Sequence, residues 1–331
     1  MAITLQEINA LRQKTQAGLM DCKKALTEAN GDMEAAMEIL RKKGQLVAAK
    51  RSDREASEGC VLAKAENGFA AIVALKCETD FVAKNADFVA LTKKILDVAM
   101  EQKPADLEAL KALKVDGMTI AELVTERSGV TGEKMELSDY TFLKGACVDA
   151  YNHLGNKLST IVLFAEPDAA HEAVHGVAMQ VAAMNPLALD ADHISAEVKE
   201  HELAVNIEKT KSEEIAKYVE NVIRKAGINP NLVDSDDHIE SNMAKGWLTA
   251  EEAQKARDLK VSAAAEAEAN LEKQAKKIEM ISQGRLQKYF KENTLMDQIY
   301  VGNDDKLPVK EFLAKAHATC LDFKRITLNQ D

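Results

Sequence analysis

The string whose residue types and spacing come nearest to metal chemistry is His171-Glu172-Ala173-Val174-His175. Histidines four apart share one face of a helix, as zinc ligands can, and the short His-Glu-x-x-His pattern is met. That pattern is common by chance in helices, and without an identified third ligand it points to no zinc site. Asp234-Ser235-Asp236-Asp237-His238 begins like a calcium loop. Its sixth position, however, is Ile239 where glycine makes the turn, and its twelfth is Lys245 where glutamate closes the shell. Gly129 followed by Gly132-Glu133-Lys134 has the wrong spacing for a phosphate loop and no hydroxyl residue after the lysine. Cys22, Cys60, Cys77, Cys147 and Cys320 are scattered, contain no CxxC, and have no local arrangement that makes one a nucleophile. These residues lead us to expect no enzyme, no cofactor and no resident metal.

The elements available to position a site are mostly helical. Aromatic residues are only 4% of the 331, while Ala, Lys and Glu abound, a mixture that leans to helix. The length suits two or three domains. A net charge of -11 argues against wrapping nucleic acid. Residues 1–55 carry 10 Lys/Arg against 8 Asp/Glu, so this segment alone is mildly basic and suits an acidic partner surface or plain solvent. No apolar run approaches the ~18 residues of a membrane helix. Met1-Ala2-Ile3-Thr4 shows no secretory pattern, so reduced thiols and a cytoplasmic location are expected.

Periodicity predicts three short helices in residues 1–45. Thr4 with Glu7 forms a capping box, Leu5, Ile8 and Leu11 form the first stripe, and Gly44 ends the third helix. A charged linker follows at Lys50 to Glu55. Two β-type runs, Cys60 to Ala65 and Phe69 to Leu75, flank Asn67-Gly68, a strong hairpin signal, and a helix with Phe88, Leu91, Ile95 and Val98 comes next. The plan repeats in Ala146 to Tyr151, Gly155-Asn156, Leu158 to Phe164 and a helix with Ala173, Val174, Val177 and Val181. Trp247 to Gln283 holds neither Gly nor Pro, and Leu259, Ala263, Ala267, Leu271, Ala275 and Ile278 form a stripe. One continuous helix there would run roughly 55 Å. Within 190–284 we therefore expect an antiparallel helical hairpin whose irregular tip is 227–248. Leu321 to Leu328 reads as a returning strand.

Two strings carry a family resemblance. Leu11-Arg12-Gln13-Lys14-Thr15-Gln16-Ala17-Gly18-Leu19-Met20-Asp21-Cys22-Lys23-Lys24-Ala25-Leu26 resembles the N-terminal signature of the elongation factor Ts family. Cys77-Glu78-Thr79-Asp80-Phe81-Val82-Ala83-Lys84 resembles that family's Thr-Asp-Phe-Val signature. Ala74-Leu75-Lys76 departs from the usual Glu-apolar-Asn before it. Looser matches at Thr131-Gly132-Glu133, Tyr151-x-His153, Val181 to Pro186, Gly284 to Phe290 and Gln298 to Val301 extend the resemblance over most of the chain. Residues 212–275 resemble an enlarged form of the family's coiled-coil protrusion, and the C-terminal helical module of some members is not expected after Leu328.

The resemblance implies an α+β fold: a ubiquitin-associated-like helical domain and linker (1–55), a core N-subdomain (56–144), a core C-subdomain (145–189 and 285–331) and the protrusion (190–284). It implies guanine nucleotide exchange on elongation factor Tu in translation elongation, the alternative being a helical binding module without exchange activity. By the same resemblance Thr79, Asp80, Phe81 and Val82 dislocate the partner's magnesium. Arg12, Met20, Lys23, Thr131, Gly132 and His153 bind elongation factor Tu, GDP-bound or nucleotide-free. Neither membrane nor direct nucleic-acid contact is expected, and a homodimer or a two-plus-two complex is admitted.

Overall fold

A computed structural model describes residues 3–15, 17–302 and 306–328; Gln16 of the first signature lies outside them. Three helices lead, α1 (Leu5–Thr15), α2 (Leu19–Glu28) and α3 (Met33–Lys50). Strands β1 (Glu58–Glu66) and β2 (Phe69–Cys77) are followed by the short α4 (Asp80–Ala83), then α5 (Ala86–Gln102), α6 (Leu107–Ala112), the two-residue strands β3 (Lys114–Val115) and β4 (Met118–Thr119), and α7 (Ile120–Thr131). Next come β5 (Met135–Lys144), β6 (Cys147–Asn152), β7 (Leu158–Phe164), α8 (His171–Met184), α9 (Ala196–Lys225), α10 (Asp236–Ala244), α11 (Ala250–Ala269), α12 (Ala275–Asn293), α13 (Val309–Lys315) and β8 (Cys320–Thr327). The fold is mixed helix and sheet, α+β. None of the helices is long and apolar enough to cross a membrane, among the described residues.

The chain divides into two compact units, 1–189 with 298–331, and 190–297. In the first, β1-β2-β5 and β6-β7-β8 are separate antiparallel sheets, with β2 and β7 central. The run Phe69 to Leu75 is buried on both faces of β2, so it reads as continuously apolar. One face, with Phe69, Val73 and Leu75, packs against Phe88 and Ile95 of α5 and Ile120 of α7. The other, with Ala70, Ile72 and Ala74, meets Ile161 of the second sheet. The free edge of β1 is closed by the turn joining β6 to β7. The Ala63 N–H donates to Asn152 Oδ1 at 2.7 Å, Asn152 Nδ2 donates to the Ala63 carbonyl at 2.9 Å, and the Val61 N–H donates to the Asn156 carbonyl at 2.7 Å. An edge satisfied this way is unavailable for pairing with another chain, and the second hairpin is locked against the first.

The expected stop at Gly44 does not occur, because α3 continues to Lys50. Gly44 is needed for packing instead. It crosses Gly129 of α7 so closely that a Cβ on Gly129 would stand 2.1 Å from the Gly44 Cα. Helix propensity lost at glycine, about 1 kcal/mol, is offset by that backbone approach.

The second unit is a helical hairpin. Thr210 and Glu214 of α9 meet Ser282 and Lys277 of α12, while Ala226 at the end of α9 meets Lys255 of α11, so the returning arm runs antiparallel. That arm is not one helix, because a tight turn at Leu271–Gln274 separates α11 from α12 and leaves Ala275 exposed. The tip at 227–248 is more ordered than expected. Ser235 caps α10, and Ile228, Val233, Ile239 and Leu248 close a small core with Ile223, Ala253 and Ala256. Residues 285–293 continue α12, and this unit extends to Asp297.

Gly129→Ala is expected to lower stability by about 1–3 kcal/mol, as overpacking does, despite better helix propensity. Gly284→Ala, in α12 with nothing within 4 Å of the new methyl, is expected to raise it by about 0.5–1 kcal/mol. Thermal melts of the two variants, read side by side, should move in opposite directions.

Candidate functional site

Thr79 to Val82 stand where β2 ends and α4 begins, and each side chain does something different. Thr79 caps α4, its hydroxyl accepting from the Val82 N–H. It is held from behind by Glu133, which accepts from the Thr79 N–H at 3.0 Å and from its hydroxyl at 2.6 Å. Asp80 pairs with Lys84 one turn on at 2.7 Å, and the Lys84 hydrogen bond holds the Asp80 carboxyl below its ordinary pKa. Val82 packs on the first core. Phe81 points away from all of this and is 85% exposed.

An exposed aromatic ring contributes little to folding and gains its burial only on association. Its position is set by carboxylates that sequence reasoning passed over. Glu78 accepts from the Lys134 N–H at 2.6 Å and from Arg51 at 2.9 Å and Arg54 at 3.2 Å, while Lys134 Nζ donates to the Ser52 and Arg54 carbonyls. The segment after α3, the end of β2 and the start of β5 thus meet on one side chain. Burial alone would raise the Glu78 pKa, but the Lys134 N–H and the two guanidinium groups outweigh it and hold it below the ordinary glutamate value. Nothing local in the sequence links positions 51, 78 and 134.

Thr131 and Gly132 lie behind this platform. Gly132 closes α7 in a left-handed conformation, φ 73°, and its N–H donates to the Ser128 carbonyl. The Thr131 hydroxyl donates to the Arg127 carbonyl at 3.1 Å and accepts from the Glu133 N–H at 3.3 Å. Both residues aim Glu133 at Thr79.

Arg12, Met20 and Lys23 are all exposed on α1 and α2, Met20 by 61%, and neither cation enters an ion pair among the described residues. Leu19 adds a second exposed apolar side chain beside Met20. His153 occupies the β6–β7 turn, its Nδ1 2.9 Å from the Tyr151 hydroxyl. The next residue, Leu154, is 91% exposed. A leucine set between His153 and Gly155-Asn156 was the available signal for it. Lys157, just after this turn, pairs at 2.8 Å with Glu58 of β1, which lies across from Cys77 at the end of β2.

Cys60 and Cys77 are buried, which pushes their thiols up to about 11 and about 12. Their nucleophilic thiolate forms are suppressed.

A family model described as Elongation factor TS matches residues 78–330, which include the Thr79 to Val82 platform. Over the whole of both chains, the sequence is 55% identical to Elongation factor Ts of Phocaeicola vulgatus, 53% to that of Bacteroides fragilis and 45% to that of Porphyromonas gingivalis. Arg12, Met20 and Lys23 precede the family-model match but fall within these full-length alignments.

The Glu78 contacts make stability depend on pH in a defined sense. Because its folded pKa is depressed, the stabilisation is present above the unfolded glutamate pKa, about 4.3, and is lost as pH falls through the folded value. Glu78→Gln should melt lower than the parent at pH 7, with the gap closing in acid. A gap that stays constant down to pH 3 would assign the stabilisation to the uncharged hydrogen bonds alone.

Proposed function

The chain belongs to the elongation factor Ts family, and on that premise we propose that it is a guanine nucleotide exchange factor for elongation factor Tu in translation elongation. The observation that carries this reading is Phe81: a ring 85% exposed at a helix start whose neighbours are tied down on both sides. Such a side chain suits insertion into another protein better than any role in its own fold.

Exchange of this kind uses binding energy to deform a partner. By linkage, the factor by which this chain weakens nucleotide binding equals the factor by which nucleotide weakens binding of this chain. Equal contact with both partner states would shift nothing. In the proposed complex Phe81 enters between helices of the nucleotide domain of elongation factor Tu. Asp80 and the start of α4 disturb the groups holding its magnesium. Loss of that ion removes a large counter-charge from the phosphates, and the nucleotide leaves faster. Arg12, Met20 and Lys23 hold the nucleotide domain through an exposed apolar side chain and two exposed cations, a combination that suits an acidic-rimmed apolar patch. His153, on the β6–β7 turn, holds a second region of the partner and supplies leverage. Thr131 and Gly132 serve the interface through Glu133, which fixes Thr79. No general acid, base or nucleophile takes part.

The deciding measurement is release of labelled GDP from purified elongation factor Tu with and without this chain. Binding without acceleration would make the chain a helical binding module. Phe81→Ala is expected to melt within about 0.5 kcal/mol of the parent, as exposed positions do, while GDP release slows by at least tenfold, which corresponds to the ~1.4 kcal/mol or more of a hot-spot residue. Release at the parent's rate would remove Phe81 from the mechanism. Arg12→Ala and Lys23→Ala are expected to weaken association measured by calorimetry, more so at low salt, where exposed charges are least screened.

A further inference from the structure

His171 and His175 do acquire a third donor in the folded chain, from a strand 22 residues earlier. Both histidines lie in the first turns of α8, and their rings stack nearly parallel, 12° apart with centroids at 5.4 Å. Asp149 of β6 reaches the same place, its Oδ2 2.7 Å from His175 Nδ1. One donor atom from each of Asp149, His171 and His175 falls within a mutual 4.8 Å. We propose that these three side chains form a binding site for a zinc-class divalent cation.

The donor set selects the ion. Two imidazoles and one carboxylate suit zinc and its first-row neighbours, whereas magnesium and calcium require more oxygen donors. Tetrahedral zinc, with bonds of about 2.0–2.2 Å, spaces its ligands by roughly 3.3 Å. The ion therefore takes the place of the proton between His175 Nδ1 and Asp149 Oδ2, and those atoms part by roughly half an ångström. Any proton on the ligating nitrogen leaves to solvent. His171 is exposed and swings to complete the set, and water fills the fourth position. The side chains of Asp149 and His175 are only 18% and 34% exposed, so β6 and α8 already hold two of the three ligands in place.

The ion joins two elements that the His175–Asp149 hydrogen bond already links. Its effect reaches the β6–β7 turn, because the Tyr151 ring lies edge-on against His175 at 5.8 Å and the Tyr151 hydroxyl contacts His153. This reading does not depend on the exchange activity.

The test uses the full chain, freed of metal with a chelator and titrated with zinc chloride alone by calorimetry, and with cobalt(II) by absorbance. One zinc per chain is expected, with a rise in Tm. His171→Ala, at an exposed position where folding is not at risk, should weaken zinc binding by at least the 10–100-fold that loss even of an outer-shell partner costs, and Asp149→Asn should weaken it too. The cobalt spectrum should show d–d bands without thiolate charge transfer. Zinc binding equally tight in the parent and in His171→Ala, or a thiolate band that places the ion on a cysteine, would overturn the proposal. No binding at all would overturn it as well.

Discussion

The approach of Gly44 to Gly129 decides where the N-terminal helices sit. Side chains would hold α3 and α7 apart at an ordinary helix spacing of about 8–10 Å. With hydrogen atoms alone between them, the two backbones come close enough that no Cβ fits on Gly129. Beyond this crossing, α7 ends at Thr131 and Gly132, and the next residue, Glu133, supports Thr79. One helix therefore carries the docking of α1–α3 near its end and the support of the Phe81 platform just past it. The placement of the exposed Met20 relative to the exposed Phe81 rests on that crossing together with the Arg51 and Arg54 contacts to Glu78.

The platform solves a particular physical problem. A ring left in water is cheap to leave mobile, and mobility would add an entropy cost to any later association. Here the backbone beneath Phe81 is held by charged hydrogen bonds at Glu78 and Glu133, which are stronger than neutral ones. The apolar group stays accessible while its geometry is fixed by polar neighbours. The same division recurs in the β6–β7 turn, where Asn152 and Asn156 bind the edge of β1 while Leu154 and His153 remain exposed.

In the helical unit, polar groups set the pairing between α9 and the returning arm. Thr210, Ser282 and Arg285 form a hydrogen-bonded cluster, with Glu213 paired to Arg285. Alanine-rich faces pack in several nearly equivalent registers, and a satisfied polar cluster selects one of them. The break at Leu271–Gln274 precedes Ser282 by about two helical turns, and it lets α11 and α12 pack on α9 separately.

Local chemistry made much of the fold legible in advance. Asn67-Gly68 between two apolar runs marks a hairpin, and alternation or continuity of apolar residues marks which strands are half or fully buried. Thr79 before Asp80 marks a helix start, and the two signatures mark the family. The errors came where a residue's role depends on a distant neighbour. Gly44 looks like a helix stop until Gly129 is seen against it. The stripe from Leu259 to Ile278 looks continuous until its arm must fit against α9. Glu78, Glu133 and Asp149 are ordinary acids in sequence. Their meaning comes from Arg51 and Lys134, from Thr79, and from His175, all placed beside them by tertiary packing. Hydrogen bonds and ion pairs act over about 3–4 Å, a range that sequence spacing describes within a helix turn or a hairpin and that only the folded chain supplies between segments tens of residues apart.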